Sequence, residues 1–266
     1  MRIPAPTRRP VLGRVRYGWI LEAVIGIVLY LLYDELRSAV SGSARAALHH
    51  GFDVVRWERA VGLYQEYRVQ QAFLDAPVVL SLANIYYGTV HFIMPVVALV
   101  MLWRRAPERY LRWRNTLLVM LTIALVMFWL YPLNPPRLMP ARYGFVDTAA
   151  EYFNFGPQQR IVVVHGIPTA ASRAAFGNLF AAMPSLHVGW STWSALALLP
   201  VVRRRWVRVL IVVDPVLTVF AIVVTGNHWI LDAVGGWIVL FVSWLIVVGL
   251  ASTRDRLRPA PRVTPG

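Results

Sequence analysis

The chain has 266 residues, of which 58% are hydrophobic, and its mean hydropathy is +0.53. This composition excludes an ordinary soluble domain, and the absence of cysteine excludes disulfides, Cys-ligated metals and thiol catalysis. The net charge of +14 is carried by clustered arginines, without any lysine, and this clustering argues against a nucleic-acid-binding surface.

Apolar stretches recur along the chain at about the length that crosses a bilayer, roughly 17 to 25 residues. There are six of them, at residues 17–33, 78–103, 115–133, 186–202, 206–225 and 229–250. The sequence therefore predicts an all-α polytopic membrane protein, with a bundle of six transmembrane helices as a single domain. This domain covers residues 17–252, between basic tails at residues 1–16 and 253–266.

The arginines predict the orientation of this bundle. Of the 27 arginines, 18 lie in four segments, at residues 2–16, 104–114, 203–208 and 254–262. Across six spans these segments all fall on one side, which the positive-inside rule identifies as the cytoplasm. We therefore predict an integral plasma membrane protein with both termini in the cytoplasm. A cleaved signal peptide is the alternative for the first span, but its apolar stretch is longer than usual for one and favours a retained helix.

The first of two long outward-facing loops, residues 38–77, contains a predicted amphipathic helix. We expect such a helix to lie at the outer membrane interface, and plain packing onto the bundle is the alternative. Its apolar residues are Phe52, Val55, Trp57, Val61 and Leu63. Acidic residues partly offset the arginines of this loop and of the second outer loop, residues 134–184; they include Asp53, Glu58, Glu66, Asp147 and Glu151.

The second span carries a polar stripe. Asn84, Tyr87 and His91 recur at three- and four-residue spacing on an otherwise apolar helix. The stripe could bind a polyol headgroup or a second substrate, and hydrogen bonding to neighbouring helices explains it equally well. Asp214, in the middle of the fifth span, should have a partner or be neutral, because an unpaired buried carboxylate is costly.

Three stretches far apart in the sequence emerge on the outer side of the predicted bundle. "YPLNPPRLMP" (131–140) closes the third span, "AAMPSLHVGWS" (181–191) opens the fourth, and "TGNHWILDAVGG" (225–236) joins the fifth and sixth. They bring five polar residues to one membrane face: Arg137, Ser185, His187, His228 and Asp232. Each residue alone is a weak signal, and their joint occurrence indicates a functional site.

These five residues suit the transfer of a phosphoryl group. With a spacing of four, His228 and Asp232 are neighbours on one helical face, so the carboxylate can orient the imidazole as a base or nucleophile. Ser185 and His187 follow a proline and should lie at the N-terminal end of the fourth span, where anions bind. Arg137 can clamp phosphate through its planar guanidinium group. One histidine would attack phosphorus, and the other would protonate the leaving alkoxide.

The three stretches resemble, in order, the motifs of the type 2 phosphatidic acid phosphatase superfamily: Lys-x6-Arg-Pro, Pro-Ser-Gly-His and Ser-Arg-x5-His-x3-Asp. "PSLH" (184–187) is similar to the second motif and "HWILD" (228–232) to the third. The resemblance implies that His228 is the nucleophile that forms a phosphohistidine and that Asp232 orients it. It further implies that His187 is the acid for the leaving group, that Arg137 and Ser185 bind phosphate, and that no metal or cofactor is used.

The sequence departs from these motifs in several places. The motif lysine has no counterpart, Leu138 and Leu186 stand in place of proline and glycine, and the Ser-Arg pair falls on Ala221 and Ile222. At least two phosphate-binding cations of the hydrolytic enzymes are therefore missing. Arginines of the second outer loop could substitute, namely Arg142, Arg160 or Arg173. The reduced set is similar to the branch of fungal inositol phosphorylceramide synthase and its actinobacterial relatives, which transfers inositol phosphate between lipids.

The resemblance implies an outward-facing lipid phosphotransferase whose partners are a lipid phosphate donor and a lipid or polyol acceptor. A lipid phosphate or polyprenyl pyrophosphate phosphatase would use the same residues with water as the acceptor. A proton-coupled carrier, or a zinc site on His187, His228 and Asp232, is a distant alternative, because Arg137 would repel the cation. An acyltransferase or protease built on Ser185 and His187 is disfavoured, because residues two apart at a helix start point in different directions.

Overall fold

The computed structural model describes residues 18–39, 43–149, 163–164, 167–168 and 178–256. In this part of the chain there are eight α-helices: α1 (Gly18–Ala39), α2 (Ala44–Ala60), α3 (Glu66–Phe73), α4 (Pro77–Arg105), α5 (Pro107–Leu130), α6 (Leu186–Leu198), α7 (Arg205–Val224) and α8 (Ile230–Arg256). Two 3-10 helices follow α5 (Pro136–Leu138 and Ala141–Tyr143), and an antiparallel pair of two-residue strands, β1 (Val163–Val164) and β2 (Ile167–Pro168), precedes α6. The predicted helical fold is confirmed apart from this strand pair.

Four helices of the described part are long and apolar enough to cross a membrane: α4, α5, α7 and residues Ile230–Thr253 of α8. The chain is therefore an integral membrane protein. The other two predicted spans have a different character. Helix α1 contains three acidic residues, and α6 has 13 residues, about 20 Å of helix against a hydrocarbon core of roughly 30 Å.

Helix α6 lies at the centre of the bundle, in contact with α4, α5, α7 and α8. Its Trp193 and Leu198 are buried in the main hydrophobic core together with Met120 of α5. A Cβ atom on Gly236 of α8 would lie 2.4 Å from the carbonyl oxygen of Ser185, so only glycine allows the two backbones to approach this closely. This contact fixes the start of α6 against α8.

Polar contacts tie both ends of α1 to the rest of the bundle. Near its start, the Glu22 carboxylate accepts hydrogen bonds from Nη1 of Arg114, at 2.7 and 2.8 Å, and from the hydroxyl of Tyr110 at 2.9 Å. Near its end, the Asn178 side chain donates to the carbonyl oxygen of Arg37 at 2.9 Å. Helix α1 therefore runs along the bundle from the start of α5 to the segment that precedes α6.

The intramembrane carboxyl of Asp214 has the polar partner that the sequence predicts. The hydroxyl of Tyr86 in α4 donates to Oδ1 of Asp214 in α7 and lies 3.3 Å from the hydroxyl of Thr218. This cluster joins α4 to α7 at mid-span, and it explains Asp214 by helix packing.

The segment between α1 and α4 contains two helices instead of the single amphipathic helix that the sequence predicts. Helix α2 ends at Ala60 because Gly62 adopts a left-handed backbone conformation, with φ +76°, and Leu63 lies beyond the helix end. Of the predicted apolar face, Val55 is buried and Phe52 is half-buried, whereas Trp57, Val61 and Leu63 are exposed. The buried side packs onto the end of the bundle through Val54, Val55, Leu133, Met139 and Trp229.

Candidate active site

His228 lies in the turn between α7 and α8. Its ring Nδ1 is 2.9 Å from the carbonyl oxygen of Ala182 and 3.2 Å from Oδ2 of Asp232. Both oxygens are acceptors, so Nδ1 carries the hydrogen and Nε2 presents a lone pair. The predicted pairing of His228 with Asp232 is present. It joins a turn residue to the first turn of α8, which corrects the expectation of two residues on one helical face.

The bare Nε2 of His228 faces a second histidine. It lies 3.3 Å from Nδ1 of His187, in the first turn of α6. The His187 ring stacks on the ring of Tyr87 with centroids 4.1 Å apart, and the His91 ring is 4.0 Å away on α4. Two residues of the predicted polar stripe on α4 therefore face the histidine pair.

The third residue of the stripe has a different role. The side-chain amide of Asn84 donates to the carbonyl oxygen of Leu80 at 2.9 Å and to the hydroxyl of Thr148 at 3.1 Å. Asn84 thus ties α4 to the segment that follows the second 3-10 helix. The hydrogen-bonding interpretation of the stripe holds for Asn84, and Tyr87 and His91 are the stripe residues next to the histidine pair.

Ser185 is the residue immediately before α6, and it is fully buried. Its backbone N–H donates to the carbonyl oxygen of Asp232 at 2.9 Å, which places the start of α6 beside the first turn of α8. Its hydroxyl has no hydrogen-bond partner among the described residues. Since the first N–H groups of a helix lack intrahelical partners, unused donors converge beside His187.

Arg137 lies in the 3-10 helix that follows α5. Its backbone N–H donates to the carbonyl oxygen of Gly226 at 2.9 Å, so the Arg137 segment is attached to the turn that carries His228. Its Nη1 donates to Oδ2 of Asp147 at 3.3 Å, and its buried Nε has no partner in the described part of the chain. A cation therefore lies at the histidine end of the bundle, with one N–H group available.

Of the two further arginines predicted as phosphate or headgroup contacts, the structure describes Arg142, which does not reach the histidines. Arg142 is exposed, and its guanidinium group lies over the rings of Phe52 and Tyr143, at 5.4 and 5.5 Å from their centroids. Arg173 lies outside the described residues, as does Arg160.

Two buried glutamates, missed by the sequence reasoning, contact the start of α8. Glu66 Oε1 accepts from the N–H of Ile230 at 2.7 Å, and Glu58 Oε1 accepts from the N–H of Leu231 at 2.8 Å. The N–H groups of Ile230 and Leu231 are therefore taken by carboxylates. Among the described helices beside His228, the start of α6 is left as the helix N-terminus for an anion. One sequence signal was available: Glu58 follows Val54 at the four-residue spacing of the buried face of α2.

The geometry of the histidine pair disagrees with a zinc site and with a serine nucleophile at this position. His228 presents opposite ring nitrogens to Asp232 and His187, and no group of His, Asp or Glu in the described ranges could hold a metal ion. The Ser185 hydroxyl makes no hydrogen bond to His187, whose Nδ1 faces His228 instead. A nucleophile–base pair of Ser185 and His187 is therefore not formed.

A comparison with protein families gives one match. A family model described as the PAP2 superfamily matches residues 52–246, a range that contains α4 to α7, most of α2 and α8, and the histidine pair. No curated protein and no solved structure matches the chain.

Proposed function

Because the chain belongs to the PAP2 superfamily, and is thus an enzyme of phosphatase or phosphotransferase type, we propose that it is a lipid phosphotransferase using a phosphohistidine intermediate. The observation that carries this proposal is the arrangement of His228. Ala182 and Asp232 hold its Nδ1–H, and its bare Nε2 lies 3.3 Å from His187. An oriented imidazole beside a second imidazole supplies a nucleophile and a proton donor at one point.

The reaction has two steps. In the first, a lipid phosphodiester or pyrophosphate enters between the two rings, and Nε2 of His228 attacks phosphorus. The N–P bond forms, the P–O bond to the leaving group breaks, and His187 gives its proton to the leaving oxygen. In the second, an acceptor hydroxyl attacks the phosphohistidine, His187 takes the hydroxyl proton, and His228 is regenerated. Asp232 stabilises the positive charge on the His228 ring throughout.

The unused donors around the histidines form the phosphate site of this proposal. The hydroxyl of Ser185, the first N–H groups of α6 and the guanidinium group of Arg137 hold the nonbridging oxygens. Tyr87 and His91 line the side toward α4, where a polyol headgroup of the inositol-phosphate type would bind. Arg173 is a further headgroup contact in this proposal, whereas Arg142 lies over the rings of Phe52 and Tyr143.

Two observations favour a lipid or polyol acceptor over water. By the resemblance to the superfamily motifs, the sequence lacks at least two of the phosphate-binding cations of the hydrolytic enzymes. The site is also enclosed, since His228 is 3% exposed and Asp232 and Ser185 are fully buried. A lipid phosphate phosphatase with the same residues is the second candidate, and it differs only in the group that resolves the phosphohistidine.

The expected result with a ³²P-labelled lipid phosphodiester or pyrophosphate is label transfer to a second lipid. Purified protein would be incubated with and without acceptors such as phosphatidylinositol-derived or polyprenyl lipids, and the products separated by phase and chromatography. Label that appears only as free phosphate in water, with every acceptor, would instead show a phosphatase.

We further propose that α1 and α6 complete a six-helix membrane bundle with α4, α5, α7 and α8. Helix α1 runs the length of the bundle through its contacts at Glu22 and Arg37. Helix α6 starts at the histidines, and its far end places Ala197 against Leu102 and Tyr110, at the turn between α4 and α5. Both termini would be cytoplasmic, with the site facing outward from the plasma membrane and α2 lying at the outer interface.

This orientation can be tested with single cysteines, because the natural chain has none. Arg68→Cys in α3 and Arg109→Cys in α5 both change exposed residues, on opposite sides of the proposed membrane. In intact cells, a membrane-impermeant maleimide should label position 68 and spare position 109, and permeabilised cells should show both. Labelling of position 109 alone would mean the reverse orientation.

A further inference from the structure

The first N–H groups around the start of α8 are bound by carboxyl groups from three different elements. Trp229 N donates to Oδ2 of Asp232 at 3.0 Å. The next two N–H groups, of Ile230 and Leu231, donate to Glu66 Oε1 and Glu58 Oε1. Carboxylates at a helix N-terminus bind unpaired N–H groups and favour the helix dipole. The segment directly after His228 is therefore held from outside the bundle.

Glu58 and Glu66 form a pair that needs a proton. Both residues are fully buried, and their second oxygens, Oε2, have no N–H or O–H donor among the described residues. The two carboxyl groups are neighbours, because their Oε1 atoms accept from the N–H groups of consecutive residues, Ile230 and Leu231. Two buried carboxylates in contact repel, whereas one shared proton satisfies both free oxygens. Glu58 then donates through its O–H, and Glu66 accepts as the carboxylate.

The titration of the pair agrees with this assignment. Burial, followed by the neighbouring Glu66, raises the pKa of Glu58 to about 10. Burial also raises the pKa of Glu66, while its hydrogen bond with Glu58 acts in the opposite direction. The other titratable groups that face the pair are Asp232 from α8 and Tyr64 from the turn between α2 and α3. The raised pKa of Glu58 thus keeps a proton on the pair at neutral pH.

The pair of Glu58 and Glu66 connects α2 and α3 to the histidine site. Glu58 lies in the last turn of α2 and Glu66 in the first turn of α3, and the carbonyl oxygen of Glu58 accepts from the N–H of Leu63 at 2.8 Å in the turn between them. Loss of either carboxyl would free the backbone of residues 230–231. His228 and Asp232 flank this backbone, so their 3.2 Å contact depends on it.

We propose that Glu58 and Glu66 share one proton and act as positioning residues, which hold the start of α8 so that Asp232 orients His228. This role rests on the proposed phosphotransferase function where it is measured by the rate of label transfer. Neither glutamate touches substrate. The pair positions the reacting imidazole through the backbone of α8.

The shared proton is tested by infrared spectroscopy on the purified full chain. The wild type should show the C=O stretching band of a protonated, buried carboxyl group at neutral pH. Glu58→Gln should remove this band, because the amide replaces the protonated carboxyl, and Glu108→Gln should leave it, because Glu108 is exposed. The same band in Glu58→Gln, or its absence in the wild type, would overturn the shared proton whatever the activity.

The positioning role is tested by the pH profile of label transfer. Glu58→Gln should keep wild-type kcat at neutral pH, because its amide donates to Glu66 and its oxygen accepts from Leu231. Glu58→Ala should lower kcat with little change in KM.

The wild type should lose activity at alkaline pH as the pair ionises, and Glu58→Gln should not. If Glu58→Gln lost activity at alkaline pH as the wild type does, the positioning role of the pair would be contradicted. If the wild type neither transfers nor hydrolyses lipid phosphate, the proposed function fails. The infrared band would still show whether the two glutamates share a proton.

Stability gives a second readout that does not depend on activity. In the unfolded chain Glu58 ionises near its ordinary pKa of 4.5, whereas the folded protein keeps this proton up to about 10. The folded state therefore binds more protons across this range, and the free energy of unfolding falls as pH rises through it. Glu58→Gln should show a smaller fall than the wild type in thermal unfolding, and an equal fall would contradict the shared proton.

Discussion

Replacing His228 with alanine is expected to abolish phosphoryl transfer. Loss of the nucleophile removes the covalent intermediate, and activity should fall by about 10⁴-fold or more. The protein should fold normally, because Trp229, Glu58 and Glu66 still hold the start of α8. The measurement is the rate of ³²P transfer from the lipid donor, with unfolding temperature as the check on folding.

The matched control for this variant is His49→Ala. His49 is exposed on α2, and its ring makes an edge contact with Phe52 at 6.1 Å. We expect this variant to transfer at the wild-type rate. The wild type should also trap acid-labile label on the protein when the reaction is quenched with alkali, and His228→Ala should not. Equal transfer by His228→Ala and the wild type would show that His228 is not the nucleophile.

Gly236→Ala is expected to destabilise the protein and disturb the site together. The added Cβ would lie 2.4 Å from the carbonyl oxygen of Ser185 and 3.3 Å from the backbone nitrogen of Gly189, both of them backbone atoms that cannot rotate away. Helices α6 and α8 must separate, at a cost of about 1–3 kcal/mol in the free energy of unfolding. Ser185 would move with α6, so kcat should fall as well. Unfolding in detergent and the transfer rate measure the two effects.

Gly249→Ala provides the control on the same helix. Apart from the backbone of its own helix, no described residue has an atom within 4 Å of a Cβ at this position. Alanine also has the higher helix propensity, so stability should be unchanged or slightly raised. If Gly236→Ala were as stable and active as Gly249→Ala, the close approach of α6 and α8 would not determine the site.

The parts of the site that sequence reasoning predicted are those that local spacing determines. The four-residue interval between His228 and Asp232 brings the two side chains together in a turn followed by a helix, as it would within one helix. The interval between Tyr87 and His91 places both on one face of α4, because a helix repeats every 3.6 residues. Asp214 was expected to have a partner because burying an unpaired carboxylate is costly, and Tyr86 is that partner.

The sequence by itself thus determined the membrane class, the apolar helices and the short-range pairs, since hydropathy, length and helical period are properties of neighbouring residues. The order of the spans also predicted that His187 and His228 lie at one end of the bundle, whereas the contacts between distant groups were decided only by the tertiary structure. It paired Asn84 with Thr148, brought His187 to the bare nitrogen of His228, and buried Glu58 and Glu66 against α8. An acidic residue in an outer loop has the same local pattern whether it faces water or caps a distant helix. The difference arises only when α2 and α3 pack over the end of the bundle and exclude water from both carboxyl groups.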